Sequence, residues 1–309
     1  MRSRTSHSVT LLVLALALPA SPAPAWAGAW NLGHGRLHLK ESFSFWSTDR
    51  KFASGLDRTL TFADRGPVER GERVPFDPAT GGDFSAAALT TEVSLGLLGW
   101  LDVGLSVPLI WTDFDTAPVD TVDSSFGVGD LLFKVQGGWI FAPVALAGRL
   151  EVKVPTGGFD PSIYAAPLTE GQWDVALLAS AGVSLHPWGY VNAELGWRFR
   201  IENPENGLDP GDEFLFLVEG GVRLRWGFWV KLAADGQIGL DGELTRFGTI
   251  TEVPRRRLFS LWGGLQWRGS FGLGAEVALR VLLAGEDFPT GLQLLTGVSY
   301  EFQLFGGAG

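Results

Sequence analysis

The stretch FGVGDLLFKVQGGWIFAPVALAGRLEVKVPT, residues 126–156, decides how this chain folds. It reads as two strands joined by a short turn. In the first arm Leu131, Phe133, Val135 and Trp139 fall on one face, and Asp130, Lys134 and Gln136 on the other. In the second, Val144, Leu146, Leu150, Val152 and Val154 oppose Arg149, Glu151 and Lys153. That is a strand period of two. A soluble sheet would lay its apolar face on a core, which some other element must complete. The unit recurs to the C-terminus without an amphipathic helix, so the apolar faces meet lipid and the charged faces line a confined wet interior. The expected fold is all-β, a closed antiparallel transmembrane barrel.

Working outward, a first strand spans Arg36 to Trp46, and Ser47 to Ser85 is polar and unpatterned, read as a large extracellular loop (residues 47–85). Ala87 to Leu98 alternates, turns at Gly99-Trp100 and returns through Val103 to Trp111; Thr112 to Ser125 is an acidic loop. Beyond the quoted hairpin, strands follow at Gln172 to Leu185, Tyr190 to Ile201, Phe214 to Leu224, Phe228 to Asp235, Arg256 to Trp267, Phe271 to Leu283 and Gly291 to Phe305. Leu240 to Arg255 reads as loop. About twelve strands result, with tight turns near Gly99, Ala142, Pro187, Gly227 and Gly269 and mostly longer connections at the other end, the periplasmic and extracellular pattern of outer-membrane barrels. Trp100, Trp139, Trp188, Trp226 and Trp267 fall at the tight-turn ends, where a membrane-interface belt belongs.

The N-terminus carries Arg2 and Arg4, an apolar run from Leu11 to Leu18 and small residues around Ala25-Trp26-Ala27. This is the pattern of a signal peptide over residues 1–27, leaving 28–309 as one barrel domain. The formal charge of −10 becomes more negative once both arginines leave, which argues against nucleic acid as a partner. Cysteine is absent, so disulfides and thiolate metal sites are excluded.

On the parity of the quoted hairpin, Glu92, Asp102, Lys134, Arg149, Glu151, Lys153, Glu194, Arg198, Arg200, Glu219, Arg223, Arg225, Lys231, Asp235, Glu276 and Arg280 face the lumen. An Arg or Lys on the lipid side would cost about 2–4 kcal/mol at the midplane, which settles the side they take. They either screen solutes in a pore or brace a filled barrel, since about twelve strands permit both. Trp46, Trp262 and Tyr190 also point inward, to stack a solute or to pack under a folded-in loop. Of His34, His38 and His186, His38 sits on strand one near Ser42 and His186 precedes Pro187 in a turn, but no GxSxG pattern occurs; no enzyme activity is expected. Asp113, Asp115, Asp120 and Asp123 lack the spacing of a calcium loop, GVGD is not followed by a phosphate-binding Lys-Ser or Lys-Thr, and nothing calls for a cofactor or metal.

At GVGD (Gly127 to Asp130), KVPTG (Lys153 to Gly157) and LTEGQWD (Leu168 to Asp174), the chain resembles a family of outer-membrane transporters named for the meta-cleavage pathway of phenol degradation, similar to the FadL and toluene-channel barrels. The resemblance is best between roughly Leu95 and Leu185. It implies a channel for small, often apolar or aromatic solutes; the expected protein is a monomeric bacterial outer-membrane channel for their passive uptake, with membrane lipid and the solute as its partners. A plugged structural or surface-binding barrel without transport is the alternative. The FadL group has more strands and an N-terminal hatch; only a few residues precede the first strand here, so any plug is expected from the 47–85 loop. Outer-membrane chains also often end on an aromatic residue, whereas this one runs past Phe305 through Gly-Gly-Ala-Gly.

Overall fold

Each alternating run forms a strand, and each strand pairs antiparallel with its neighbours in sequence. The computed structural model describes residues 28–54, 68–76, 82–115, 124–158, 168–203, 207–246 and 249–305. The expected signal peptide, residues 1–27, and the last four residues lie outside them. The barrel strands are β1 (Arg36–Thr48), β2 (Asp83–Leu98), β3 (Leu101–Asp115), β4 (Leu131–Phe141), β5 (Val144–Val154), β6 (Asp174–Leu185), β7 (Gly189–Arg200), β8 (Glu213–Arg223), β9 (Phe228–Gly239), β10 (Arg257–Arg268), β11 (Leu273–Glu286) and β12 (Gly291–Gln303). Pairing of β1 with β12, from Arg36 opposite Gln303 to Ser47 opposite Leu292, closes the ring of twelve. Closure leaves no sheet edge, so the peptide groups within the ladder are bonded without water.

The parity of residues 126–156 holds in the structure. Along β4 Phe133, Val135 and Trp139 are exposed on the outside while Lys134 and Gln136 turn inward; along β5 Leu146 and Leu150 point out, opposite Ala145, Ala147, Arg149 and Glu151. A one-residue slip would exchange every face. Each outward Leu or Phe would forfeit roughly 1.5–3 kcal/mol of apolar burial, and each displaced Arg would add about 2–4 kcal/mol. No helix is needed to cover the outer surface because hydrocarbon covers it, and the chain is a bacterial outer-membrane barrel.

Tight turns at 99–100, 142–143, 186–188, 224–227 and 269–272 occupy one end. In the 224–227 turn Trp226 has φ 58° and Gly227 φ 83°, a left-handed pair that reverses the chain in minimal length. The strands reach further at the other end than periodicity suggested: β1 runs to Thr48 and β2 begins at Asp83. The segment between them is also not structureless. Arg50–Phe52 and Arg73–Pro75 form a small sheet with Phe288–Pro289, and the region expected as loop from Leu240 to Arg255 contains a hairpin, Gly242–Arg246 with Thr249–Val253, joined by Leu208–Asp209. Their short alternations escape a period count because each lasts only a few residues.

All five belt tryptophans lie at the tight-turn end. Trp100 and Trp139 stack with ring centroids 6.4 Å apart, Trp226 is 85% exposed, and Trp267 donates its Nε1–H to the Trp226 carbonyl at 3.2 Å. A second set of outward rings, Phe45, Trp111, Phe126, Trp173 and Phe199, sits near the long-loop end.

Leu195 stands outward near the middle of β7 and is 55% exposed to lipid. Leu195→Arg is expected to destabilise the barrel by about 2–4 kcal/mol in urea unfolding from phospholipid vesicles. A substitution with no effect there would contradict the assignment of the outer face to lipid.

Candidate functional site

The inner faces of twelve strands bring many charges into a space too narrow to hydrate each separately, and the register sets opposite signs side by side. Lys134 stands across from Glu151, and Gln136 from Arg149. Arg149 bonds Glu194 at 2.6 Å and Glu151 at 2.9 Å, while Ser180 donates to the other Glu194 oxygen at 2.7 Å. Lys40 pairs with Glu276 at 2.5 Å, Lys231 with Glu219 at 3.3 Å, and Lys134 reaches Glu92 at 3.9 Å. Arg198 meets Glu213 at 2.7 Å, Arg200 meets it at 3.1 Å, and Arg280 pairs with Asp235. The wall therefore carries dense charge with little net field. Removing one partner of such a buried pair costs roughly 3–5 kcal/mol, because the other charge is stranded.

Three segments fold into this lumen. From the long-loop end, Leu168 to Gln172 forms a lid. Its Glu170 takes bonds from Arg200 and Arg256, accepts Gln172 Nε2–H at 2.7 Å, and lies 3.9 Å from Lys153. Leu168 packs on Ala88 and Ile110. The lid also explains the motifs that carried the family resemblance, since GVGD, KVPTG and LTEGQWD converge here. Thr156 Oγ1 accepts from the Leu131 amide and donates to the Gly129 carbonyl, both at 3.1 Å, and the Gly157 amide donates to Asp130 at 3.1 Å. A Cβ on Gly157 would come within 2.2 Å of Thr169, and one on Gly127 within 2.8 Å of Leu168, so the glycines make room for the lid.

Beside the lid lies an apolar plug in which Trp46, Phe52, Phe76, Phe84, Leu258, Leu282 and Phe288 are all buried. Trp46 meets Phe84 edge-on at 5.4 Å and donates its Nε1–H to the Thr290 carbonyl at 2.8 Å. From the tight-turn end the third segment, Ala29 to Leu32, enters as a strap. Its Leu32 amide donates to Asp102 at 2.9 Å and its Ala29 amide to Asn192 at 3.2 Å. Residues ahead of β1 thus contribute to closure along with Phe52, Phe76 and Phe84 of the 47–85 segment, against the expectation that so short a stretch would not. Nothing periodic marks it.

Between strap, lid and plug a chamber of about 360 Å³ remains. Of the residues expected in the lumen, Lys134, Arg149, Glu151, Lys153, Glu194, Arg198, Asp235, Arg280 and Trp262 line it, as does Asp102. Glu92, Arg200, Glu219 and Lys231 are buried inside the barrel without bordering the chamber, and Glu276 faces inward to Lys40. Trp46 sits in the plug. Tyr190 donates its hydroxyl to Glu219 and packs against Trp30 at 5.6 Å. Arg223, the last residue of β8, and Arg225, in the turn beyond it, are exposed at the tight-turn rim; strand parity no longer applies to Arg225. Lys231 lies over the Trp262 ring, 5.3 Å from its centroid. Asp113 and Asp115 fall on β3 and Asp120 and Asp123 lie outside the described residues, among which no cluster of three metal-ligating side chains occurs.

No protein-family model matches the sequence, and no curated protein does. Among solved structures, an outer membrane channel from Pseudomonas putida F1 superposes with a TM-score of 0.70 at 16% identity, over 89% of this chain and 98% of that one. The β domain of the Bordetella autotransporter BrkA gives 0.49 at 12% identity, over 87% of this chain and 100% of that one. The toluene transporter TbuX of Ralstonia pickettii gives 0.42 at 11%, over 93% and 92%. The Pseudomonas putida likeness is one of fold.

Breaking the Arg149 cluster from either side should bias the wall in opposite senses. With a salt gradient across a planar bilayer, Glu194→Gln is expected to shift the reversal potential toward anion preference and Arg149→Gln toward cation preference. Shifts of the same sign would mean that these charges do not face the conducting path.

Proposed function

We propose that the chain is an outer-membrane channel through which small solutes diffuse passively, and that it favours uncharged apolar or aromatic compounds. The observation that carries this reading is the chamber enclosed by a closed barrel wall. At about 360 Å³ it falls in the range of small-molecule sites, roughly 300–1,000 Å³. The fold shared with the Pseudomonas putida channel is in keeping with it. Wall charges that neutralise one another offer no net attraction to an ion, whereas Ala88, Ile110, Leu168, Leu258, Leu295 and Trp262 give an apolar body surface to touch. One barrel holds the whole chamber, so the unit of function is the monomer. Catalysis is not part of this reading: His38 and Ser42 are four residues apart on β1, about 13 Å at roughly 3.3 Å per residue, beyond the reach of a base for its nucleophile.

The buried plug and the clamped lid favour a second reading, a barrel that stays shut and serves the envelope structurally. Reconstitution separates the two. The channel reading expects small, reproducible conductance steps and faster uptake of uncharged monoaromatic probes into proteoliposomes than into protein-free vesicles. Silence from correctly inserted protein, with no gain in uptake, would leave only the structural reading. If the Trp262 face guides aromatic solutes, Trp262→Ala should slow their uptake about two- to tenfold relative to aliphatic probes of equal size, the equivalent of ~0.5–1.5 kcal/mol of ring contact.

A further inference from the structure

The strap at the tight-turn end is held differently from everything else inside the barrel. It belongs to no strand, yet the wall is shaped to it. Ala29 packs on the inward-facing Ala145 and Ala147 of β5, all three buried from solvent. The Trp30 ring occupies space that only glycine leaves, since a Cβ on Gly182 would lie 2.4 Å from it. Tyr190 closes the far side of that seat edge-on. Gly138 likewise accommodates Asn31, whose Oδ1 would lie 2.1 Å from a Cβ there. The polar contacts go chiefly to the strap's main chain. Asn192 and Asp102 accept from the amides of Ala29 and Leu32, and Gln136 Nε2 donates to the Trp30 carbonyl at 3.3 Å. Asn31 Nδ2 adds one longer bond to the Gln136 carbonyl at 3.5 Å. Asn192, Asp102 and Gln136 are each more than nine-tenths buried. Main-chain bonds plus one shaped aromatic seat are how extended peptides are recognised.

We propose that the inner wall from β3 to β7 is a peptide-binding site, that residues 29–32 are its resident ligand, and that release of this segment opens the tight-turn mouth of the chamber. The ligand class is a short extended peptide with an aromatic second residue. Two glycines with positive φ, Gly33 at 90° and Gly35 at 74°, separate the strap from β1, and the Gly35 amide donates to the Gly96 carbonyl at 2.7 Å, so the segment ahead of Gly33 can swing while the chain from Gly35 onward stays tied to the ladder. Leu32 borders the chamber, which puts the strap across the path a solute must take. The gating part of this proposal rests on the channel reading; the binding part does not.

The absence of cysteine from the chain makes a direct test available. In Ala29→Cys/Ala147→Cys, oxidation should pin the strap and hold conductance low, and reductant should raise it several-fold. Trp30→Ala, which empties the seat, and Gly182→Leu, which fills it, should both conduct more than the unmodified channel. The synthetic peptide Gly-Ala-Trp-Asn-Leu, added at the tight-turn side, should close Trp30→Ala again and leave Gly182→Leu unaffected. Equal conductance in the oxidised and reduced states, while the channel itself conducts, overturns the gate and leaves the channel reading intact. If every variant is silent, the channel reading fails, and fluorescence anisotropy of a labelled peptide decides the site: binding to Trp30→Ala but not to Gly182→Leu upholds it, and binding to neither overturns it.

Discussion

Charge confined in a narrow lumen is the constraint on which the rest of this barrel depends. An arginine turned outward would cost about 2–4 kcal/mol in hydrocarbon, and one turned inward without a partner would pay a desolvation penalty of several kcal/mol. Both are avoided because strand register places acids beside bases, as with Lys134 across from Glu151 and Arg149 reaching Glu151 and Glu194. In such a wall, removing one partner of a singly paired charge strands the other. The wall also decides what can fold into the barrel. A lid carrying Glu170 is clamped by the surplus arginines Arg200 and Arg256 at the long-loop end.

The three inward segments close the lumen by different physics. The lid is held by ions, the plug by aromatic packing around Trp46 and Phe84, and the strap by main-chain hydrogen bonds and a glycine-lined seat. These respond differently to their surroundings. Salt weakens exposed ion pairs and hardly touches buried ones or apolar packing. A segment tied by a few hydrogen bonds outside the ladder belongs to the low-stability end of the molecule, where local opening is easiest. The chamber is the space left when all three are seated, so its size belongs to one set of closures and not to the ring itself.

How much of this could be read from residues 126–156 follows from what periodicity encodes. A period of two reports which side chain faces which solvent, and lipid outside makes the contrast large, so the ring, its strand number and the inner or outer side of each strand were legible. Contacts among inner residues were not, because parity is silent on distance: Trp46 and Trp262 share the inward face, yet one lies in the plug and the other borders the chamber. Alternation also runs on past the last residue of β8, and Arg225 lies there in a turn, where parity does not aim a side chain. The strap and lid have no period at all. Their trace was indirect, in glycines at 127, 157 and 182 that make room for a neighbour.

The seam between β1 and β12 sets Arg36 opposite Gln303, so the first and last strands of the barrel are neighbours in the ladder. No partial chain can complete the circle. Until the final strand emerges, β1 has a partner, β2, along one edge only, and its other edge stays open. Such a topology folds slowly and is vulnerable to aggregation while it waits.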